Sequence, residues 1–351
     1  MDLQVKVAAV FTGGTIGSAV STGSVALGDE APRQILSEWS AGPGAGADVE
    51  FVVSEPYRIL SEDATPEHWE HLARHVRKRV DSKVDAVVVF HGSDTLPWTA
   101  TALALALRGL PVPLVLVAAD LPLDDPASNG PANFAAAMAF VREESLSGVF
   151  VAWTHPGEAT TIYLGTRLQP ADPLDDRFSA PRGLVFGHMD GTRFVRSQNP
   201  SNPSREAVVQ RRDPMTWSAS CKRLETSPQL FARRLLVLPP HPGLDTGRIQ
   251  LDLGWQGILQ LPYHSGTASS TPGEASVLDL VRRATERNVP FLIGPSSVRA
   301  VPYSSTKALL EAGARLVPPM GTPAAQVKLM LLLGTQGHLA GLDQDFAFEL
   351  V

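Results

Sequence analysis

Three short segments hold residue types able to do chemistry, and each follows an apolar run. Thr12-Gly13-Gly14-Thr15-Ile16-Gly17 comes directly after one such run. Ser61-Glu62-Asp63 lies a few residues beyond a second, and His91-Gly92-Ser93-Asp94-Thr95 directly follows a third. They offer hydroxyls, carboxylates and a glycine backbone that a ligand could approach closely. Hydroxyls also cap helices and close turns, so types alone make only a site hypothesis. Several familiar chemistries fail on spacing. Gly13-Gly14-x-x-Gly17 is not a dinucleotide fingerprint, no phosphate-loop glycine-lysine pair exists, and no serine has glycine two residues away on both sides. His68, His71 and His75 share one helix face, and His71/His75 have zinc-compatible spacing, but no third ligand follows. They read as solvated surface histidines, and neither a metal nor a cofactor is expected.

The elements that must position these segments alternate between strand and helix. Val5–Phe11, 49–53, 85–90, 114–117 and 148–152 are mostly continuous apolar runs, which suit strands covered on both faces. Thr65-Pro66 opens a helix carrying Trp69, Leu72, Val76 and Val80, and Pro97 opens another carrying Leu103, Leu107 and Leu110. This alternation predicts a doubly wound parallel sheet, and in such sheets ligands bind beyond the carboxyl ends of the strands. Asp190-Gly191 signals a hairpin turn between short strands. Residues 197–230, rich in Ser, Pro, Asn and Arg, read as an interdomain linker. A second alternating block has strands at 235–238, 257–261 and 291–293. Its helices start at Thr271-Pro272-Gly273-Glu274 and Thr322-Pro323. The fold class expected is α/β: a larger N-terminal sheet domain over 1–196, the linker, and a smaller C-terminal α/β domain over 231–351.

Composition removes other classes. The 351 residues are 44% hydrophobic and 19% charged, enough to bury two cores. Thirty basic against 36 acidic residues give a net charge of −6, which argues against a nucleic-acid partner. Cys221 is the single cysteine, so no intrachain disulfide forms. Apolar runs are too short to cross a bilayer and the start lacks a signal-peptide pattern, so a cytoplasmic location without a membrane partner is expected.

Thr12-Gly13-Gly14-Thr15-Ile16 with His91-Gly92-Ser93-Asp94-Thr95 resembles the signature pair of the bacterial-type L-asparaginase/glutaminase family, usually TGGTI and HGTDT. Ser61-x-Asp63 resembles the family's serine-x-aspartate loop, Asn129-Gly130-Pro131-x-Asn133 its DGxxN segment, and Pro242-Gly243 and the 326–333 helix parts of its small domain. The resemblance implies a threonine-nucleophile amidohydrolase acting on L-asparagine or a related small amide and releasing ammonia. Thr12 is similar to the family's nucleophile. Ser93 stands in the place of its second catalytic threonine, and Asp94 is similar to the carboxylate that binds the substrate's α-ammonium. Ser61 is similar to the α-carboxylate holder. Glu62 lies beside it, and Gly14 and Gly92 complete the substrate-binding loops. The resemblance also implies a homodimer or homotetramer with a small-molecule amide or amino-acid substrate.

The resemblance departs at three places. The first tyrosine is Tyr57, not one on the loop after Thr12-Gly13-Gly14. The family lysine near 167–170 is replaced by Arg167-Leu168-Gln169-Pro170, and Leu121 replaces the usual arginine before Pro122. Arg167 could restore the positive charge but not a proton-accepting role. These departures predict poor hydrolysis of plain L-asparagine. They keep a second reading open: a catalytically weak or inactive member that binds an amino-acid-like ligand. Tyr263-His264-Ser265-Gly266-Thr267 reads as a structural turn, with His264-Ser265 as an alternative source of a base. The amide-hydrolysing subunit of a tRNA-dependent amidotransferase is disfavoured, because such chains carry an extra domain ahead of TGGTI and eleven residues precede Thr12 here.

Overall fold

Valine-rich runs fold as strands because branched side chains pack well on a pleated surface, and both faces are covered in the central strands, though not in the edge strand Val49–Ser54, where Val53 is exposed. The computed structural model describes residues 4–21, 24–27, 31–42, 48–143, 146–297 and 301–351. The chain divides into two compact units, Met1–Ser227 with Phe346–Phe348, and Pro228–Asp345 with Glu349–Val351.

The first unit is built on β1 (Val5–Phe11), β4 (Val49–Ser54), β5 (Ala86–Phe90), β6 (Pro113–Val117), β7 (Gly148–Trp153), β8 (Thr161–Leu164), β9 (Gly187–Asp190) and β10 (Arg193–Arg196), with β2 (Ser18–Ser21) and β3 (Ser24–Leu27) forming a separate hairpin. The large sheet runs β10-β9-β8-β7-β6-β5-β1-β4. Strands β4, β1, β5, β6 and β7 are parallel, as the continuous apolar runs imply. Strands β8, β9 and β10 extend the sheet antiparallel, so the expected parallel sheet is mixed at one edge. Between strands lie α1 (Ala31–Ala41), α2 (Pro66–Asp81), α3 (Leu96–Ala106) and α4 (Gly130–Glu143). On one face Val7, Ala9, Phe11, Val88, Phe90 and Val117 join Phe134, Met138 and Phe140 of α4 in one core. The alternate strand residues Ala8, Val10, Val87 and Val89 are equally inaccessible on the other face. Full burial on both faces leaves the strand ends and their loops as the places for polar function.

Local differences from the sequence reading have local causes. α3 stops at Ala106 and Leu107 caps it, so Leu110 is buried beyond the helix rather than on it. Residues 197–230 hold α5 (Arg205–Gln210) and α6 (Pro214–Thr226), and the chain up to Ser227 groups with the first unit. Ser204 caps α5 by accepting from Ala207 N, and Asp213 caps α6 by accepting from Met215 N and Thr216 N. Two short capped helices show little periodicity, and hence read as linker. His68, His71 and His75 are not uniformly solvated. His71 is exposed, but His68 Nδ1 accepts from Thr65 N at 3.1 Å and His75 is half-buried against the Ser54 hydroxyl at 2.9 Å.

In the second unit β11 (Leu235–Leu238), β12 (Gly257–Gln260), β13 (Phe291–Ile293) and β14 (Arg315–Leu316) form a parallel sheet in sequence order. It carries α7 (Val277–Glu286), α8 (Ser304–Glu311) and α9 (Thr322–Thr335). α7 begins at Ser276, whose hydroxyl accepts from Asp279 N, and not at Thr271. Within this unit Lys328 and Glu349 form an ion pair at 2.8 Å with both side chains inaccessible to solvent. Among the described residues no helix is long and apolar enough to cross a membrane.

Candidate functional site

At the end of β1, Thr12 N donates to Phe90 O at 3.0 Å and the Thr12 hydroxyl donates to the same carbonyl at 2.9 Å. Thr12 is 2% exposed. The chain then turns against residue 59: Ile59 N donates to Thr12 O and Gly14 N to Ile59 O, each at 3.0 Å. Only glycines fit here. Gly13 has φ +103° and a Cβ would meet Ile59 O at 2.2 Å. Gly14 has φ +76°, and its Cβ would fall 2.3 Å from the Gly92 backbone. A Cβ on Gly92 would in turn collide with Ser61 Oγ at 2.4 Å. The first, second and third loops are therefore in mutual contact through Gly14, Gly92 and Ser61.

Ser61 opens a single turn, Ser61–Asp63, and is buried, whereas Glu62 points to solvent as an exposed residue. The Thr95 hydroxyl donates to Ser61 O at 2.8 Å, and Ser61 Oγ lies 3.5 Å from Asp94 Oδ2. His91 is buried with Nδ1 2.7 Å from Gly92 O, and burial lowers its pKa to about 4. A neutral His91 therefore serves the turn.

Ser93 and Asp94 open onto a cavity of about 170 Å3, lined also by Asp120, Trp153, Pro170, Asp172, Asp176 and Phe178. Among the described residues, four carboxylates and no lysine or arginine line it. Thr12, Ser61 and Glu62 are not part of this lining. Asp120 follows β6, and its Oδ1 accepts from Leu121 N at 2.7 Å and Asn129 N at 3.0 Å. Asn129 Nδ2 donates to Thr154 O and Asn133 Oδ1 accepts from Thr154 N, so the two asparagines tie the loops after β6 and β7 together. Trp153 ends β7 and meets Phe178 edge-on at 4.6 Å.

Arg167 does not supply the missing cation. It is 3% exposed and donates to Phe348 O at 2.7 Å and Asn202 Oδ1 at 3.0 Å, while Pro170 faces the cavity instead. Tyr57 lies against His68 and His71, and burial pushes its hydroxyl pKa up. In the second unit 263–267 is a turn, with Tyr263 N donating to Thr267 O and Gly266 N to Tyr263 O, and His264 is exposed. Asp120 and Trp153 were accessible to sequence reasoning, since both stand at strand ends of the same parallel sheet. Asp172 and Asp176 gave no signal, lying in a loop without periodicity.

A sequence profile for the asparaginase N-terminal domain matches residues 6–192. The chain belongs to the asparaginase family. Its relatives include a glutamyl-tRNA(Gln) amidotransferase chain from Metallosphaera sedula, 28% identical over 97% of this chain and 74% of that protein. The thermostable L-asparaginase from Thermococcus kodakarensis shares the fold with a TM-score of 0.76, at 24% identity over 99% of both chains. L-asparaginase I from Vibrio cholerae has a TM-score of 0.75 at 23% identity, again over 99% of both. At those identities the likeness speaks for the fold, which is that of the asparaginase family: a large sheet unit and a smaller parallel one. The amidotransferase set aside on length is thus among the relatives of this asparaginase-family chain.

Proposed function

We propose that this chain is an amidohydrolase that cleaves a small, ammonium-bearing amide through Thr12 and releases ammonia. The contact chain from Gly14 through Gly92 and Ser61 to Asp94 carries the reading, because it gathers the hydroxyls and the carboxylate at one sheet edge. Thr12 Oγ attacks the amide carbon, the C–N bond breaks, and the nitrogen takes up a proton to leave as ammonia. Water then hydrolyses the Thr12 ester to the carboxylic acid. Asp94 binds the substrate's ammonium, helped by the anionic lining of Asp120, Asp172 and Asp176. Ser61, 3.5 Å from Asp94, holds the substrate's α-carboxylate next to that ammonium, and Ser93 lies beside the reacting group. Glu62, exposed on the same turn, belongs to the substrate-binding loop in this reading. Gly14 N–H is spent on Ile59 O, so its role is close approach rather than oxyanion binding.

A specific observation favours the alternative of a ligand-binding, weakly catalytic member. The Thr12 proton rests on a main-chain carbonyl, which cannot accept it, and the Ser93 cavity holds no lysine. Ammonia release across a panel of amides, with thermal-shift binding of the same compounds, separates the two. Turnover abolished by Thr12→Val supports the enzyme, whereas tight binding without ammonia supports the alternative. The amide-donor role of an amidotransferase component is a third outcome, visible as ammonia release that depends on a partner protein.

A further inference from the structure

The second unit's parallel sheet has a small cavity of its own, about 170 Å3, beyond the carboxyl ends of β11 and β12. Open α/β sheets place ligands at this end of their strands. The lining comes wholly from residues 240–277, within the one unit. It runs from exposed His241, Tyr263 and Ala275 at the rim to buried Gln260, Ala268 and Val277 at the floor.

Gln260 is the last residue of β12 and is 1% exposed. The main chain orients its amide, because Nε2 donates to Leu238 O at 3.1 Å and to Leu261 O at 2.8 Å. Both partners are acceptors, so reversing the amide would set oxygen against oxygen. That leaves Oε1 over. It is shut off from bulk solvent and meets no donor. A buried acceptor in this state carries its full desolvation cost, which a donor on a ligand would remove. The rest of the wall bears no charge to attract an ion. Among the described residues no Asp, Glu, Lys or Arg lines it. His241 Nδ1 accepts from Gly243 N at 3.2 Å, which an imidazole does only in its uncharged form. Pro240, Pro242 and Leu244 supply apolar surface between rim and floor.

We propose that this cavity is a second small-molecule site, taking an uncharged one-ring compound whose O–H or N–H donates to Gln260 Oε1. The ring packs against Leu244, Ala268 and Val277. The volume suits one ring, since sites for drug-sized ligands begin at about 300 Å3. An ion would lose its hydration on entry and find no opposite charge. Nothing in the proposal depends on amide hydrolysis at Thr12.

The test is a ligand-observed NMR titration of the full chain with phenol, fluorobenzene and benzoate. Fluorobenzene keeps the ring and has no donor, and benzoate adds a charge. Saturable binding of phenol is expected, about tenfold or more tighter than that of fluorobenzene, as a hydrogen bond to a buried acceptor implies. Benzoate should not compete. Gln260→Met removes the acceptor and should erase the preference for phenol over fluorobenzene. Ala275→Trp narrows the rim, leaves Gln260 in place, and should weaken both ligands. Melting curves establish that each variant is folded, and the three probes compared on wild-type protein need no variant. Absence of saturable phenol binding, or equal affinity for fluorobenzene, would overturn the site. So would an undiminished preference for phenol in folded Gln260→Met, or unchanged binding by folded Ala275→Trp. Competition by benzoate at the same concentration as phenol would overturn the restriction to uncharged ligands.

Discussion

Ser61 Oγ stands 3.5 Å from Asp94 Oδ2, joining two loops that are 33 residues apart in the chain. The distance is long for a hydrogen bond, so the two loops meet there without a strong bond between these side chains. Asp94 is exposed at the cavity mouth and is expected to bind an ammonium rather than to move protons. Asp94→Asn keeps shape and removes charge, and should cost roughly 1.5–3 kcal/mol of ligand binding. An amide lacking the ammonium should be nearly indifferent. If wild-type protein prefers such uncharged amides, the assignment falls.

Thr12→Val keeps the side-chain shape and deletes both the proposed nucleophile and its bond to Phe90 O. Stability should fall by about 0.5–1.5 kcal/mol, the net worth of one hydrogen bond, while ammonia release drops by orders of magnitude. A folded Thr12→Val protein with ordinary turnover refutes the role. On the same assay plain L-asparagine should be a poor substrate, since general-base help worth about 10²–10⁴-fold has no lysine to supply it at the Ser93 cavity.

His91 makes a pH prediction. Its folded pKa, about 4, lies below the unfolded value near 6.5, so the unfolded chain binds the extra proton between those limits. The contribution of His91 to stability is therefore complete above pH 6.5 and is lost as pH falls towards 4, up to roughly 3 kcal/mol. Urea melts at pH 7, 6 and 5 should show the loss, and His91→Gln should flatten it. Identical slopes in the two proteins would show that His91 is not its source.

Lys328 and Glu349 make a stability prediction within the second unit. Removing one member strands the other in the interior, so Glu349→Gln or Lys328→Met alone should destabilise by about 3–5 kcal/mol. The double replacement Lys328→Met/Glu349→Leu should recover most of it. A Glu349→Gln variant as stable as wild type would mean that water or the Gln344 carbonyl, which also accepts from Lys328, satisfies the surviving ammonium.

The strand-end loops were legible because the physics that marks them is local. A β-branched run ending at Gly13-Gly14 or at His91-Gly92 announces both the strand and the place where it must stop. Other parts of the site depend on contacts that no window of sequence contains. Arg167 is adjacent to the expected lysine position, yet its guanidinium is settled by a carbonyl 181 residues away, at Phe348. Asp172 and Asp176 reach the cavity on a loop that returns after the antiparallel β8, and a four-residue strand gives too little pattern to foresee that reversal. The α5–α6 segment was hidden for a related reason: side-chain caps, not hydrophobic period, define those helices.

Phe346–Phe348 complete the first unit although the whole of Pro228–Asp345 is synthesised before them. On the ribosome, then, this unit emerges with Arg108 and Arg211 lacking the two rings they will stack on, and with Arg167 lacking its Phe348 carbonyl. Its sheet can form early, because every strand from β1 to β10 precedes residue 197. Its final locking must wait for translation to pass the second unit. A chain ending inside that stretch would leave Arg108 and Arg211 without those two rings and Arg167 without that carbonyl.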